Sequence, residues 1–286
     1  MHFDGKTAWI TGASSGIGRA LAAALVARGS KVILSSRRRA DLEAVASEIG
    51  GETLVVPFDA TDYPALPAAV EAAEQWSGGV DLLINNAGVS QRSLALDTDF
   101  EVYRRLMEVD FFAPLRLTQL VLPSMVSRRS GQIAVVSSVA GKVGAPLRSG
   151  YCAAKHACVG YFDALRAEVE MGYGIGVSVI LPGSVQTAVA INALSADGTA
   201  RGRSDANIDG GMPAATAARI ILDGLAAGLR EITVAEGPEL MALKLRTSNP
   251  EGLFSITALE GARLARLRDS GSTGASDPGV VLAPAK

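Results

Sequence analysis

Three features of the sequence predict a doubly wound α/β fold, a Rossmann-type parallel sheet of about seven strands with helices on both faces. Short apolar runs without polar alternation recur between longer helical patterns, as strands buried on both faces do. A glycine-rich turn joins the first run to the first helical pattern. The chain has 286 residues, 48% of them hydrophobic, which suits one large core without repeats or a second domain.

The elements follow in order. "TAWIT" (Thr7–Thr11) reads as a buried strand, and a helix runs from the turn to Arg28, closed by Gly29. "KVILSS" is the second strand and "ADLEAVASEIGG" the second helix, again with a terminal glycine. "ETLVVPFDA" is the third strand. "DYPALPAAVEAAEQW" is the third helix, capped by Asp62 with Pro64 in its first turn. "VDLLINNAG" is the fourth strand, and one long helical region runs from about Thr98 to Arg129. "GQIAVVSS", "GVSVILPG" and "EITVAEG" complete the sheet, with a helix carrying Tyr151 and Lys155 between the first two.

These elements make a single domain over residues 1–268. Within it, residues 188–212 are small, polar and glycine-bearing and directly follow a strand end, where lids lie. They read as a mobile substrate lid, with a disordered insert as the alternative. Residues 238–268 form an amphipathic helical segment that covers the cleft, a partner chain or a lipid surface, and residues 269–286 read as an unpacked, flexible tail.

Composition narrows the function. A formal net charge of -2 with mixed signs gives no nucleic-acid surface, and Arg37-Arg38-Arg39 is too short to argue one. The two histidines, His2 and His156, form no ligand cluster, so no metal site is expected. Cys152 and Cys158 lie six residues apart on a helix and point to different faces, which fits free thiols in a reducing cytoplasm. Met1 leads into polar "HFDGK", and no run approaches the ~18 to 20 apolar residues of a membrane span.

Ligands of this architecture sit beyond the carboxyl ends of the strands. The turn "TGASSGIG" offers Gly12, Ser14, Ser15, Gly16, Ile17 and Gly18 as a cradle for a dinucleotide pyrophosphate, with the next helix presenting free N–H groups. An acid at the end of the second strand would select NAD; the chain has Ser35, Ser36, Arg37 and Arg38 instead, which favours the 2′-phosphate of NADP(H). The alternative is that these arginines are solvated. In "SGYCAAKHA", Lys155 lies one helical turn beyond Tyr151, and a nearby ammonium favours the phenolate of a tyrosine.

The ordered set "TGASSGIG", "FDA", "NNAG", "SS", "YCAAK" and "PGSVQT", from Lys6 to Thr187, resembles the short-chain dehydrogenase/reductase superfamily. Beyond it, "INALSADG" resembles the dehydrogenase/reductase member 7B branch, near the 11β-hydroxysteroid dehydrogenase-like members. The resemblance implies that Asp59 and Ala60 frame the adenine and that Asn86, Ala87 and Gly88 line the ribose. It gives Pro182, Gly183, Val185 and Thr187 the nicotinamide end. It makes Tyr151 the proton donor or acceptor, Lys155 its cationic neighbour and ribose ligand, and Ser138 the residue that polarises the carbonyl, with Ser137 aimed elsewhere. It also implies a homodimer or homotetramer. One position departs: Asp110 stands where the family has asparagine, with a working variant, a slower enzyme or a shifted pH optimum as outcomes.

The expected activity is therefore NADP(H)-dependent hydride transfer to or from a carbonyl or secondary alcohol of a fairly apolar small molecule, with Val189, Ile191 and Leu194 as apolar contacts. Gln91 and Arg92 stand near the mouth, where Arg92 contacts a polar or anionic substrate end or is a solvated loop residue. The competing readings are an NAD-preferring polyol or hydroxysteroid dehydrogenase and a weakly catalytic dinucleotide-binding sensor or scaffold.

Overall fold

Apolar runs that alternate sides build the centre of the molecule. In the computed structural model, which describes residues 2–278, seven parallel strands form one sheet in the order β3-β2-β1-β4-β5-β6-β9. These are β1 (Thr7–Thr11), β2 (Lys31–Ser35), β3 (Thr53–Val55), β4 (Leu82–Asn85), β5 (Gly131–Val136), β6 (Ile175–Pro182) and β9 (Glu231–Val234). A second pair, β7 (Val185–Gln186) and β8 (Met212–Pro213), is also parallel.

Ten helices accompany the strands among the described residues: α1 (Gly16–Val26), α2 (Arg39–Ile49), α3 (Leu66–Ser77), α4 (Phe100–Met107), α5 (Ala113–Arg128), α6 (Ser149–Tyr173), α7 (Ala206–Asp209), α8 (Ala214–Ala226), α9 (Gly237–Ser248) and α10 (Pro250–Asp269). Ile10, Ile84, Ala134 and Ile180 face a core shared with Leu21 of α1, Leu42 of α2 and Ile221 of α8. Their neighbours Trp9, Leu83, Ile133 and Val179 face the opposite core, with Val70 of α3, Val121 of α5 and Phe162 of α6. Strands sealed on both faces leave their carboxyl-end loops as the place for chemistry. The chain order reverses between β1 and β4, and that crevice opens over the glycine turn.

Local chemistry sets most boundaries. Gly29 adopts φ +82°, and a Cβ there would meet Asp4 Oδ1 at 2.1 Å, so the turn after α1 requires glycine. Gly50 and Gly174 end α2 and α6 with positive φ.

Several expectations need correction. The helical region expected over Thr98–Arg129 runs unbroken from Phe100 to Arg128, but with a π-turn at Glu108–Phe112 between α4 and α5. Asp62 makes no side-chain cap; it precedes a 3₁₀ turn, Tyr63–Ala65, and α3 starts only at Leu66. The third strand is short, Thr53–Val55, although Val56 N and Phe58 N still donate to Leu34 O (3.0 Å) and Ser36 O (3.1 Å) beyond it.

The presumed lid, residues 188–212, is packed down: Ala190, Ala193, Leu194, Asp205 and Ile208 are buried, and Leu194 bridges to Gln91. The tail is tied down at its start, where Asp277 pairs with Arg201 and Arg203; residues 279–286 lie outside the described residues. The amphipathic segment is α9 and α10, whose Ala242 and Leu253 pack on Val139 and Val143. Among the described residues no helix is long and apolar enough to cross a membrane.

Candidate active site

The glycine turn is shaped by contacts that leave no room for side chains. A Cβ on Gly18 would lie 2.3 Å from Gly12 O, and one on Gly16 would lie 2.9 Å from Thr187 Cγ2. Gly12 and Gly16 also adopt φ +67° and +55°. Ser15 stands at the start of α1 without a side-chain cap, and the first-turn amides of a helix are open to an anion. Asn86 braces the turn from β4, its Nδ2 donating to Thr11 O (2.9 Å) and Gly12 O (3.3 Å). Thr11 reciprocates: its Oγ1 accepts from the amides of Asn86 and Ala87, both at 3.0 Å.

At the end of β2, Ser35 accepts from Trp9 Nε1 (2.8 Å) and faces the core. Ser36 Oγ is buried without a hydrogen-bond partner, an orphan hydroxyl beside the crevice. Arg37 is exposed, and Arg38 is engaged by Asp41 within its own turn. Burial of Asp59 opposes its charge, yet hydrogen bonds from Thr61 and the nearby Arg37 and Arg105 hold its carboxyl below the usual range. Ala60 and Ala87 line a small hollow with Thr11 and Leu66. These residues fit a dinucleotide: glycines for close backbone approach, open helix amides for phosphate, and a cation with a spare hydroxyl at β2.

The second half of the site lies over β4, β5 and α6. Lys155 and Asp110 are both buried, with Nζ 3.2 Å from Asp110 Oδ1. Lys155 Nζ also donates to Val136 O (3.0 Å), and Val89 N donates to Asp110 Oδ1 (3.1 Å). The residue four beyond Asp110 is Pro114, which has no N–H to give the Asp110 carbonyl, and Cys158 Sγ donates to that carbonyl at 2.8 Å. Gly88 is required here, because a Cβ would meet Asp110 Oδ1 at 2.5 Å. Burial works against charge on Lys155, but the Asp110 carboxylate, helped by Tyr151 and Cys158, holds its pKa above that of an ordinary lysine. Burial pushes the Asp110 carboxyl up, against the pull of Lys155 and of the Val89 amide.

Lys155 Nζ lies 5.6 Å from the centroid of the Tyr151 ring. Tyr151 and Ser138 line one cavity of about 360 Å³ together with Gly183, Val189 and Met212. Ser138 Oγ accepts from Ala140 N (3.1 Å) and donates to Pro182 O (3.3 Å). Ser137 points the other way, donating to Lys155 O at 3.0 Å. Val185 turns its side chain into the core, so only its backbone is near the site.

Some features had no signal in the sequence. Gln91 is fully buried and caps α6: its Oε1 accepts from Gly150 N (2.9 Å) and Tyr151 N (3.3 Å). Its partners lie about sixty positions on in the chain, beyond any local motif. Arg92 is not a solvated loop residue; it is 2% exposed and bonds Asp205 through Nε and Nη2, each at 2.9 Å. Of the three apolar contacts expected, only Val189 lines the cavity; Ile191 is exposed, and Leu194 packs with Val102 and Leu106. Among the described residues no group of three or more His, Cys, Asp or Glu is placed to hold a metal.

The family model described as short chain dehydrogenase matches residues 6–197. Dehydrogenase/reductase SDR family member 7B of Mus musculus is 40% identical over 256 residues, which cover 87% of this chain and 79% of that protein. Dehydrogenase/reductase SDR family member 7 of Homo sapiens is 39% identical over 262 residues, covering 89% and 77%. The crystal structure of a short chain dehydrogenase/reductase from Burkholderia phymatum in complex with NAD has a like fold, with TM-score 0.76 and 23% identity over 99% of this chain and all of that one.

The buried pair generates a stability expectation. Asp110→Ala leaves Lys155 buried without its counter-ion, and loss of one member of such a pair costs about 3–5 kcal/mol. Urea unfolding of the variant against the parent checks this; a loss below about 1 kcal/mol contradicts it.

Proposed function

The chain belongs to the short-chain dehydrogenase family, and on that footing we propose that it is an NADP(H)-dependent oxidoreductase. It moves hydride between the nicotinamide and a carbonyl or secondary-alcohol carbon of a fairly apolar small molecule. The observation that carries this reading is the convergence of Ser138 and Tyr151 on one cavity, with the buried Lys155 cation against the tyrosine ring.

A nicotinamide held here would supply or accept the hydride. The Tyr151 hydroxyl gives a proton to the carbonyl oxygen in reduction and takes one back in oxidation. Ser138 Oγ, now turned to Pro182 O, is the donor that fixes the substrate oxygen beside it. Lys155 puts a positive charge below the phenol and within reach of the nucleotide ribose. Asp110 is a positioning residue: it keeps Lys155 protonated and anchored through a salt bridge that the family's asparagine would not make. The turn over Gly12, Ser14, Ser15, Gly16, Ile17 and Gly18 would hold the diphosphate, and Asn86, Ala87, Gly88 and Thr187 would hold the nucleotide toward its nicotinamide end. Because Arg38 is engaged by Asp41, Arg37 and Ser36 carry the preference for the 2′-phosphate. Assembly as a homodimer or homotetramer is supported by exposed Phe112, tilted against Phe111 with centroids 5.0 Å apart, which in turn meets Tyr161 of α6 edge-on.

NADPH oxidation with a panel of ketones and aldehydes tests the activity. Tyr151→Phe is expected to lose about 100- to 10,000-fold in kcat/KM; full retained turnover contradicts the assignment. Removing the Asp110 charge lowers the pKa of Lys155, so its ammonium is lost at lower pH. Asp110→Asn is therefore expected to move the alkaline limb of the kcat/KM profile to lower pH, and superimposable profiles remove the aspartate's special role. The Kd for NADPH should be about tenfold or more below that for NADH, with Arg37→Asp reversing the order. NADH binding as tightly as NADPH in the parent favours the NAD-preferring alternative.

A further inference from the structure

The cavity beside Tyr151 holds one cation, Arg148, that makes no direct ion pair among the described residues, although it helps to hold the Asp205 carboxyl below the usual range. Asp205 already serves Arg92 (2.9 Å) and Arg201 (3.5 Å), and Asp277 serves Arg201 and Arg203. Arg148 lines the same cavity, yet among the described residues it has no carboxylate at ion-pair distance. Its Nε is buried without a hydrogen-bond partner. A buried donor left unmade is costly unless something completes it.

The backbone before Arg148 is held in an uncommon conformation. Leu147 adopts φ +66°, a left-handed conformation rare for a non-glycine residue. Ser93 N donates to its carbonyl at 3.1 Å, tying it to the loop after β4. Strain of this kind gathers at functional sites. Arg148 follows it directly, three residues before Tyr151. Burial lowers the pKa of Arg92 to about 10, and repulsion from Arg148 adds to that while Asp205 opposes it. An anion between the two guanidinium groups relieves that repulsion.

The acids of the cavity do not cancel this pole. Glu236 and Glu239 follow β9, the edge strand of the sheet, and make no ion pair with Arg148. Glu239 Oε1 accepts from Ser184 Oγ (2.5 Å), and Glu260 is paired with Arg263. The remaining wall is apolar, with Val139, Val143, Ile208, Met212, Ala242 and Leu253.

We propose that the substrate of this site carries a carboxylate, which the Arg148 guanidinium binds while an apolar body lies against that wall and the carbonyl meets Tyr151. The inference rests on the oxidoreductase reading for its carbonyl and on the Arg148 geometry for its anion, and one experiment separates them. Binding of 5-oxo-5-phenylpentanoate and of its methyl ester is measured by calorimetry with NADP⁺ present, and NADPH oxidation by each is recorded in parallel.

In the parent the acid is expected to bind about tenfold or more tightly than the ester. Arg148→Gln is expected to bring that ratio to about one. Arg148→Lys, which keeps the charge and guards against a misfolded glutamine variant, is expected to reduce it only severalfold. A ratio near one in the parent, or a ratio unmoved by either substitution, overturns the proposal. The acid preference without any turnover upholds the anion site and counts against the oxidoreductase reading; turnover of both probes with equal affinity does the reverse.

Discussion

Two opposite charges locked away from solvent at the centre of the site, Lys155 and Asp110, set the terms for everything around them. Removing such a pair from water costs several kcal/mol per ion, and only close contact with further hydrogen bonds offsets it. The chain supplies that contact and most of those hydrogen bonds from four places. β5 supplies Val136 O, the loop after β4 supplies Val89 N and the open space at Gly88, the π-turn between α4 and α5 aims Asp110, and α6 carries Lys155 and Cys158. Asp110 Oδ2 is left without a partner, so the carboxylate is committed to the lysine through one oxygen. A cation fixed in this way cannot wander, and the tyrosine one turn earlier is presented over it at the cavity wall.

A second network closes the other side. Arg92, Asp205, Arg201 and Asp277 link the loop after β4, the segment before α7 and the start of the C-terminal tail. Gln91, beside Arg92, caps the helix that carries Tyr151. Displacing residues 188–212 therefore breaks buried ion pairs as well as apolar contacts, so the cavity is shaped in the ground state. The cost of these buried charges is specific to one arrangement, and it places a polar end opposite the apolar wall from α9 and α10.

What could be read from the sequence was whatever local physics dictates. Gly12, Gly16 and Gly18 announce a turn with no room for side chains, the unbroken apolar strands announce a sheet covered twice, and Tyr151 with Lys155 announces one helix face. The misses come from long-range partners. Thr11 and Gln91 act through residues far along the chain, and the sequence leaves Arg92 open between a substrate contact and a solvated residue because Asp205 is 113 positions away. The π-turn was hidden because one extra residue barely disturbs an apolar pattern of helical period. Asp110 stood out only as a departure from a family motif; that its carboxylate meets Lys155 directly is knowledge of three-dimensional packing.

The most direct measurement is the protonation state of Lys155 itself, followed through its side-chain Cε resonance in selectively ¹³C-labelled protein as pH is raised. If Asp110 holds the ammonium in place, the resonance stays at its protonated position past pH ~10.4, where an ordinary lysine is half titrated. A midpoint at or below that value would mean that burial, not the aspartate, governs this lysine, and the constraint on which the site is built would be absent.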